Sequence, residues 1–532
     1  MHLDFKKNHN KERIYKKRDI FLIDDSGGTQ HMTKLKLQEL ESHLWESANI
    51  LRGSIDSGDY KSYIFGLLFL KRINDVFEEQ KEKLVAEYGE EMGSMLKEDP
   101  DQYQFYIPEK ARWSEIRKQS KDIGSAINVA FEALENENAT VEGVLTTIDF
   151  NRKEVLTDDV LQRLLQHFSL LNLRNDNFSE PDLLGRAYEY LIKMFADDAG
   201  KKGGEFYTPT KVVELLVRLL KPQEGMRVYD PTCGSGGMLI QSVDYVKKHD
   251  GNPQSISLFG QEMNLNTWAI AKMNLLLHDL PDHRNKKGDT IRNPKLLEDG
   301  DIMLFDRVIA NPPFSLKNWG REEAEKDTYG RFQYGLPPKN AGDYAFVQHM
   351  IASLNSIGIA GIVMSHGALF RGGAEGKIRQ GLLENDLLEA VIGLPSNLFY
   401  GTGIPACILI FNREKEEERK GKVLFIDGSD EYQEGKSQNY LRNKDLGEIV
   451  TAFDQYENIE KYARIVSLEE IKENDYNLSI SRYIDKSEEE ELINIDFVIS
   501  DIKELENKRN EIKSKLDSYL RELGFGEHHE EA

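Results

Sequence analysis

Cysteine is nearly missing from this sequence: two residues, Cys233 and Cys407, in a chain of 532. That excludes a disulfide framework and points to a reducing compartment, so a cytoplasmic location is expected. Long apolar runs are missing too. Stretches such as Tyr63 to Leu70 and Ala406 to Phe411 fall far short of the roughly 20 residues a spanning helix needs, so no membrane association is expected. The N-terminus is polar and basic with no apolar stretch, unlike a secretory signal. An excess of positive charge is also absent, since 69 Lys and Arg face 92 Asp and Glu for a net charge of -23. A protein that grips phosphates unaided carries a basic footprint. Any action on nucleic acid therefore calls for a local basic groove or for a partner that supplies much of the grip. What is present, 39% hydrophobic and 30% charged residues, fits a soluble globular protein and excludes a disordered one.

The pattern along the chain divides it into four. Residues 1–31 are rich in Lys and Arg, lack periodicity and read as a disordered extension, either an added leader or a start placed too early. Residues 32–175 are helical in pattern: Leu37, Leu40, Leu44 and Ala48 recur at steps of three and four, and Tyr63 to Val76 reads as a buried helix. Residues 176–480 alternate short apolar strands with helical stretches, as expected for a doubly wound α/β sheet. The strand candidates are Met226–Tyr229, Ile256–Phe259, Arg307–Ala310, Ile359–Met364, Leu388–Ile392, Ala406–Phe411 and Lys422–Ile426. Residues 481–532 form a helical tail. Val498, Ile502, Leu505, Ile512, Leu516, Tyr519 and Leu523 make a heptad seam, interrupted by Arg509. Such a seam takes a partner helix or packs back on its own domain, and the pattern favours neither.

Two loops carry the chemistry. The strand ending at Tyr229 runs into Asp230-Pro231-Thr232-Cys233-Gly234-Ser235-Gly236-Gly237, and a helix pattern follows. Glycines let a cofactor approach the backbone, and a strand, a glycine turn and a helix form a cofactor site at the carboxyl end of a parallel sheet. The spacing is not that of the dinucleotide fingerprint. The acid at the loop's start suits a cofactor bearing a sulfonium and an ammonium. Glu262, after the next strand, is placed to accept ribose hydroxyls, and Asp289 to accept an adenine amine. The second loop is Asn311-Pro312-Pro313-Phe314, at the end of the strand Phe305–Ala310. An exocyclic amine is a poor nucleophile because its lone pair is delocalised into the ring. Acceptors at the side chain of Asn311 and the carbonyl of Pro312 would draw that pair toward an incoming methyl group. The prolines stiffen the loop, and Phe314 offers a stacking face to a flipped base. No metal is required. Gly372 to Ile378 only imitates a phosphate loop, because its spacing is short and Ile378 stands where a hydroxyl is needed.

With these motifs in hand, the sequence resembles the modification, or methyltransferase, subunit of type I restriction–modification systems. The resemblance runs over residues 33–525 and includes Leu44-Trp45-Glu46-Ser47-Ala48, Gly204 to Pro209, the Asp230–Gly237 loop, Glu262, Gly288-Asp289-Thr290, Asn311–Phe314 and Gly401 to Cys407. It implies an S-adenosyl-L-methionine-dependent, site-specific adenine-N6 DNA methyltransferase. It also implies that Glu205, Phe206, Tyr207, Thr208, Pro209 and Thr210 wrap the methionine end of the cofactor, with Ser235, Gly236 and Gly237 beneath it. The implied partners are double-stranded DNA, a second copy of the chain, a specificity subunit that reads the DNA sequence, and a motor-nuclease restriction subunit. A methyltransferase acting on a glutamine side chain or on RNA, and an inactive scaffold, are the competing readings. The long helical N-terminal region argues against the former, and the intact loops argue against the latter.

Overall fold

The computed structural model describes residues 34–55, 59–180, 182–199, 207–399, 403–435, 438–486 and 495–525. The extension assigned to residues 1–31 lies outside them. The chain divides into two compact units, Met1–Ile484 and Asp485–Ala532.

Helices make up the N-terminal part of the first unit. Leu37–Leu51 presents Leu40, Leu44, Ala48 and Leu51 to the core. The helix Tyr60–Leu96 buries every residue from Tyr63 to Lys71, so a run that is apolar all round sits where nothing is left to face water. Gly89 interrupts it at φ 78°. The core around this helix does not stop at residue 175. It continues through the helix Leu183–Ala199 into Trp268, Ile270 and Met273 of the helix Leu265–Leu277. Ala271 and Leu275 of that same helix belong to the core beneath the sheet. One helix thus glues the helical region to the α/β region.

Among the described residues there are eleven strands in two sheets. In chain order they are β1 Arg227–Asp230, β2 Ser257–Glu262, β3 His283–Lys287, β4 Leu297–Glu298, β5 Asp301–Ile302, β6 Phe305–Ala310, β7 Leu354–Ser365, β8 Leu388–Gly393, β9 Ala406–Asn412, β10 Lys422–Asp427 and β11 Ala463–Ser467. β4 and β5 form a small hairpin, and the other nine make one sheet in the order β11-β10-β8-β9-β7-β6-β1-β2-β3. From β3 to β7 all neighbours are parallel. β9 runs antiparallel to both β7 and β8, and β11 antiparallel to β10. All seven strand candidates are strands. Three short or edge elements carry no apolar run to betray them: β3, which is His-Arg-Asn-Lys-Lys, the β4–β5 hairpin, and β11.

Central strands alternate between two cores. Tyr229, Val308, Ile362 and Leu409 face one side, while Val228, Ile309, Val363 and Ile408 face the other. Both faces are covered by helices, as a largely parallel sheet requires. The helix Thr210–Leu220 buries seven of its eleven residues on one face. It sits close to β7 because Gly361 has no side chain: a Cβ there would lie 3.1 Å from Leu216 and 3.2 Å from Leu220.

The chain order locates the site. From β1 the chain moves outward through β2 to β3, then returns to the other side of β1 as β6 and β7. Loops leaving the carboxyl ends of β1 and β6 diverge there, and such a switch point is where open α/β sheets bind ligands. The two loops that leave β1 and β6 are Asp230–Gly237 and Asn311–Phe314.

Candidate active site

A cavity of about 720 Å³ opens at this switch point, within the range of small-molecule sites. Of the sequence-predicted residues, Tyr207, Thr208, Thr210, Asp230, Gly234, Ser235, Gly237, Glu262, Asp289 and Asn311 through Phe314 line it. Pro209 and Gly236 do not line it. They shape its wall instead, Pro209 by opening the helix Thr210–Leu220 and Gly236 by holding φ 83° ahead of the helix Gly237–Lys248. Glu205 and Phe206 lie outside the described residues.

The β1 side is acidic and dry. Asp230 is 2% exposed; its Oδ1 accepts the N–H of Thr232 at 3.0 Å. Burial pushes its carboxyl up to about 8, with the nearby charge of Glu262 adding to the effect. Glu262 spans the gap between β2 and the loop, accepting N–H bonds from Gly234 at 3.1 Å and Asn264 at 2.7 Å. Its carboxyl too is raised by burial. Both oxygens have backbone partners, Met263 adding to these two, and keep lone pairs to spare, which suits hydroxyl donors. Gly237 completes the cradle. A Cβ built on it would meet no protein atom within 4 Å, so the space beside it is open. Thr232 Oγ1 is buried without a partner. Asp289 is more committed: Oδ1 accepts the N–H groups of Ile291 and Arg292, both at 2.9 Å, and Oδ2 pairs with Arg292 at 2.6 Å. A ligand amine at Asp289 would share it with Arg292.

The β6 side has no ionisable group at its tip. Asn311 donates from Nδ2 to Thr208 Oγ1 at 3.0 Å, while its Oδ1 is buried with no partner. An orphaned buried carbonyl costs about 1–3 kcal/mol, and a ligand N–H would recover that cost. Pro312 is buried beneath it and Phe314 is half-buried. Just beyond, Ser315 holds φ 50°. Its N–H donates to Asp343 at 3.2 Å, and Asp343 is itself paired with Arg371 at 3.1 Å. This pair, with Asp343 buried and Arg371 half-buried, pins the end of the loop.

Comparison with known proteins places the chain in a family. The family described as N-6 DNA Methylase matches residues 179–492, and the one described as HsdM N-terminal domain matches residues 40–168. The chain belongs to the N-6 DNA methylase family. The type I restriction enzyme MjaVII methylase subunit of Methanocaldococcus jannaschii is 35% identical over 498 residues, covering 89% of this chain and 82% of that protein. The HindI methylase subunit of Haemophilus influenzae is 33% identical over 415 residues, 72% of this chain and 91% of that one. Among solved structures, the type I restriction-modification methyltransferase subunit of Streptococcus thermophilus superposes with a TM-score of 0.75 at 32% identity, covering 85% of this chain and all of that one. This methylase is therefore an adenine-specific DNA methyltransferase, which sets aside the glutamine, RNA and scaffold alternatives.

Several residues of the methylase's cavity escaped the motif reading. Phe399 packs edge-on to Phe314, with centroids 5.9 Å apart and planes at 74°. Ile404, Lys317 and Trp319 line the same end, and Glu189 and Gln241 line it from helices. Phe399 lies just ahead of the Gly401–Cys407 segment noted in the sequence, which was the available signal. Ile404 lies inside that segment, while Lys317, Trp319, Glu189 and Gln241 sit in ordinary helix or loop context, and nothing local distinguishes them.

Proposed function

We propose that this chain methylates N6 of an adenine flipped out of double-stranded DNA, using S-adenosyl-L-methionine, as the methylase subunit of a type I restriction–modification assembly. The observation that carries the site assignment is the unpartnered, buried Oδ1 of Asn311, set in the same cavity as the acidic glycine loop. S-Adenosylmethionine supplies an electrophilic methyl group on a sulfonium. Glu262 accepts its ribose hydroxyls, Asp230 faces its cationic end, Gly234 to Gly237 admit it to the backbone, and Asp289 meets its adenine. Tyr207, Thr208 and Thr210 close the cavity from the side of the helix Thr210–Leu220. Asn311 Oδ1 and the Pro312 carbonyl accept the two N–H groups of the target amine, which localises its lone pair for attack. Phe314 stacks on the extruded base and Phe399 backs Phe314. No ionised base is needed at this end, because the amine becomes acidic only as the new bond forms.

The assembly proposed is two methylase chains with one specificity subunit, joined in the restricting form by a motor-nuclease subunit. Two features support it. The net charge of -23 suits a chain that relies on a partner for DNA recognition. The helix Ile495–Glu522 exposes the seam residues Val498, Ile502, Leu505, Ile512, Leu516 and Tyr519, and Leu523 just past its end is exposed too, as a helix awaiting a partner would be.

The test is transfer of tritiated methyl to DNA by the wild-type chain and by N311A, with and without the specificity subunit. N311A should keep cofactor affinity within about twofold and lose methyl transfer by about 10²-fold or more, the scale of removing a positioned acceptor from a reacting group. Labelling of protein or RNA while DNA adenine stays unlabelled would overturn the reading.

A further inference from the structure

Asn311 has to present an oxygen, and a side-chain amide has two planar orientations of opposite chemistry. With Nδ2 turned to Thr208, Oδ1 is left to accept. With the amide turned over, Nδ2 would oppose the target amine, donor against donor, and no lone pair would be freed.

We propose that Thr208 is the positioning residue that holds the Asn311 side chain in the productive orientation: its hydroxyl oxygen accepts the Nδ2 hydrogen of Asn311, which leaves Oδ1 turned to the target amine. The contact joins residues 103 positions apart, at 3.0 Å. It is the only polar bond of the Asn311 side chain recorded among the described residues.

The mounting of Thr208 supports the role. It precedes Pro209, and a residue before proline is held extended. Pro209 sits at φ -53°, ψ 130° as the N-cap of the helix Thr210–Leu220. Its carbonyl accepts the N–H groups of Val212 at 2.8 Å and Val213 at 3.1 Å. Tyr207 and Thr210 brace the same turn through a hydroxyl pair at 2.9 Å. The helix behind this turn is packed against β7, the strand beside β6. The hydroxyl is therefore delivered from a rigid element to a loop stiffened by two prolines. Thr208 also lines the cavity, so the positioning role through Asn311 is additional to the cofactor-wrapping one implied by resemblance.

The inference rests on Asn311 being the amine acceptor, and the experiment separates the two claims. T208V, nearly equal in volume but without the hydroxyl, and T208S, which restores it, are compared in the assembled complex with wild-type and N311A. Three quantities are read: S-adenosylhomocysteine affinity by calorimetry, duplex DNA affinity, and the single-turnover rate of adenine methylation. T208V should hold both affinities within about twofold and lose about tenfold or more in rate, with T208S recovering most of it. A T208V rate within about twofold of wild-type would overturn the positioning role while leaving the site reading intact, and so would a loss confined to S-adenosylhomocysteine affinity. Full methylation by N311A would overturn the site reading itself.

Discussion

The loops after β1 and after β6 stand side by side in one cavity and are built on opposite principles. The β1 loop gathers buried carboxyls, Asp230 and Glu262, and opens the backbone with glycines at φ 53° for Gly234 and 83° for Gly236. The β6 loop holds no charge, closes the backbone with two prolines and offers neutral oxygens and an aromatic face. Desolvation explains the contrast. A carboxylate stripped of water is costly, so it waits for a cation or for hydroxyl donors. A neutral amine gains nothing from a charge and needs acceptors whose direction is fixed in advance. One loop is suited to holding a charged, flexible molecule, the other to orienting a flat, neutral one.

The comparison can be broken most severely at Gly237. G237V should leave the fold intact, because no protein atom stands in the way of its Cβ, yet fill the cradle. Cofactor affinity measured by calorimetry should fall by about 10²-fold, with stability within about 0.5 kcal/mol of wild-type. Unchanged affinity would mean that the space beside Gly237 is not where the cofactor lies. Next in size is the aromatic face. F314A should cost about 1–3 kcal/mol in DNA methylation efficiency through lost base stacking, with cofactor affinity unaltered. F399A should cost less, since Phe399 reaches the base side only through its edge contact with Phe314. Equal losses in the two variants would promote Phe399 to direct contact.

The smallest effect concerns pH. Asp230 has its carboxyl raised from 3.8 to about 8 in the folded, ligand-free chain. Between those values the unfolded chain has released the proton and the folded chain still holds it, so stability falls as pH rises. D230N cannot ionise. Its melting temperature relative to wild-type should therefore climb from pH 4 toward pH 8 and level off beyond. A constant difference across that range would show that Asp230 is ionised in the fold.

Much of this site was readable because its motifs are local. Asp230 to Gly237 and Asn311 to Phe314 each follow a strand directly, and the change from an apolar run to glycine or proline is written in consecutive residues. Contacts between distant segments left no such trace. Phe399 meets Phe314 although the two lie 85 positions apart in the chain. Asp343 pins Ser315 from the start of the helix Asp343–Ala352. Even within one turn, Arg292 competes for Asp289 in a way that no periodicity reveals. β3 escaped because an edge strand of His-Arg-Asn-Lys-Lys has little apolar face to show. The continuity of the helical core into Trp268 and Ile270 escaped because the helix Leu265–Leu277 is apolar on most sides. Such a helix does not say which neighbours it serves.

The amino-acid order by itself determined the alternation of strands and helices, the two loop chemistries and the heptad seam of the terminal helix, since each follows from residues within a few positions of one another. Tertiary structure alone decided that β6 returns beside β1, so that the two loops share a cavity. It alone decided that Asn311 meets Thr208 and that Asp230 is buried, which raises its carboxyl. Those outcomes depend on packing and desolvation, which arise only when segments far apart in the chain exclude water between them.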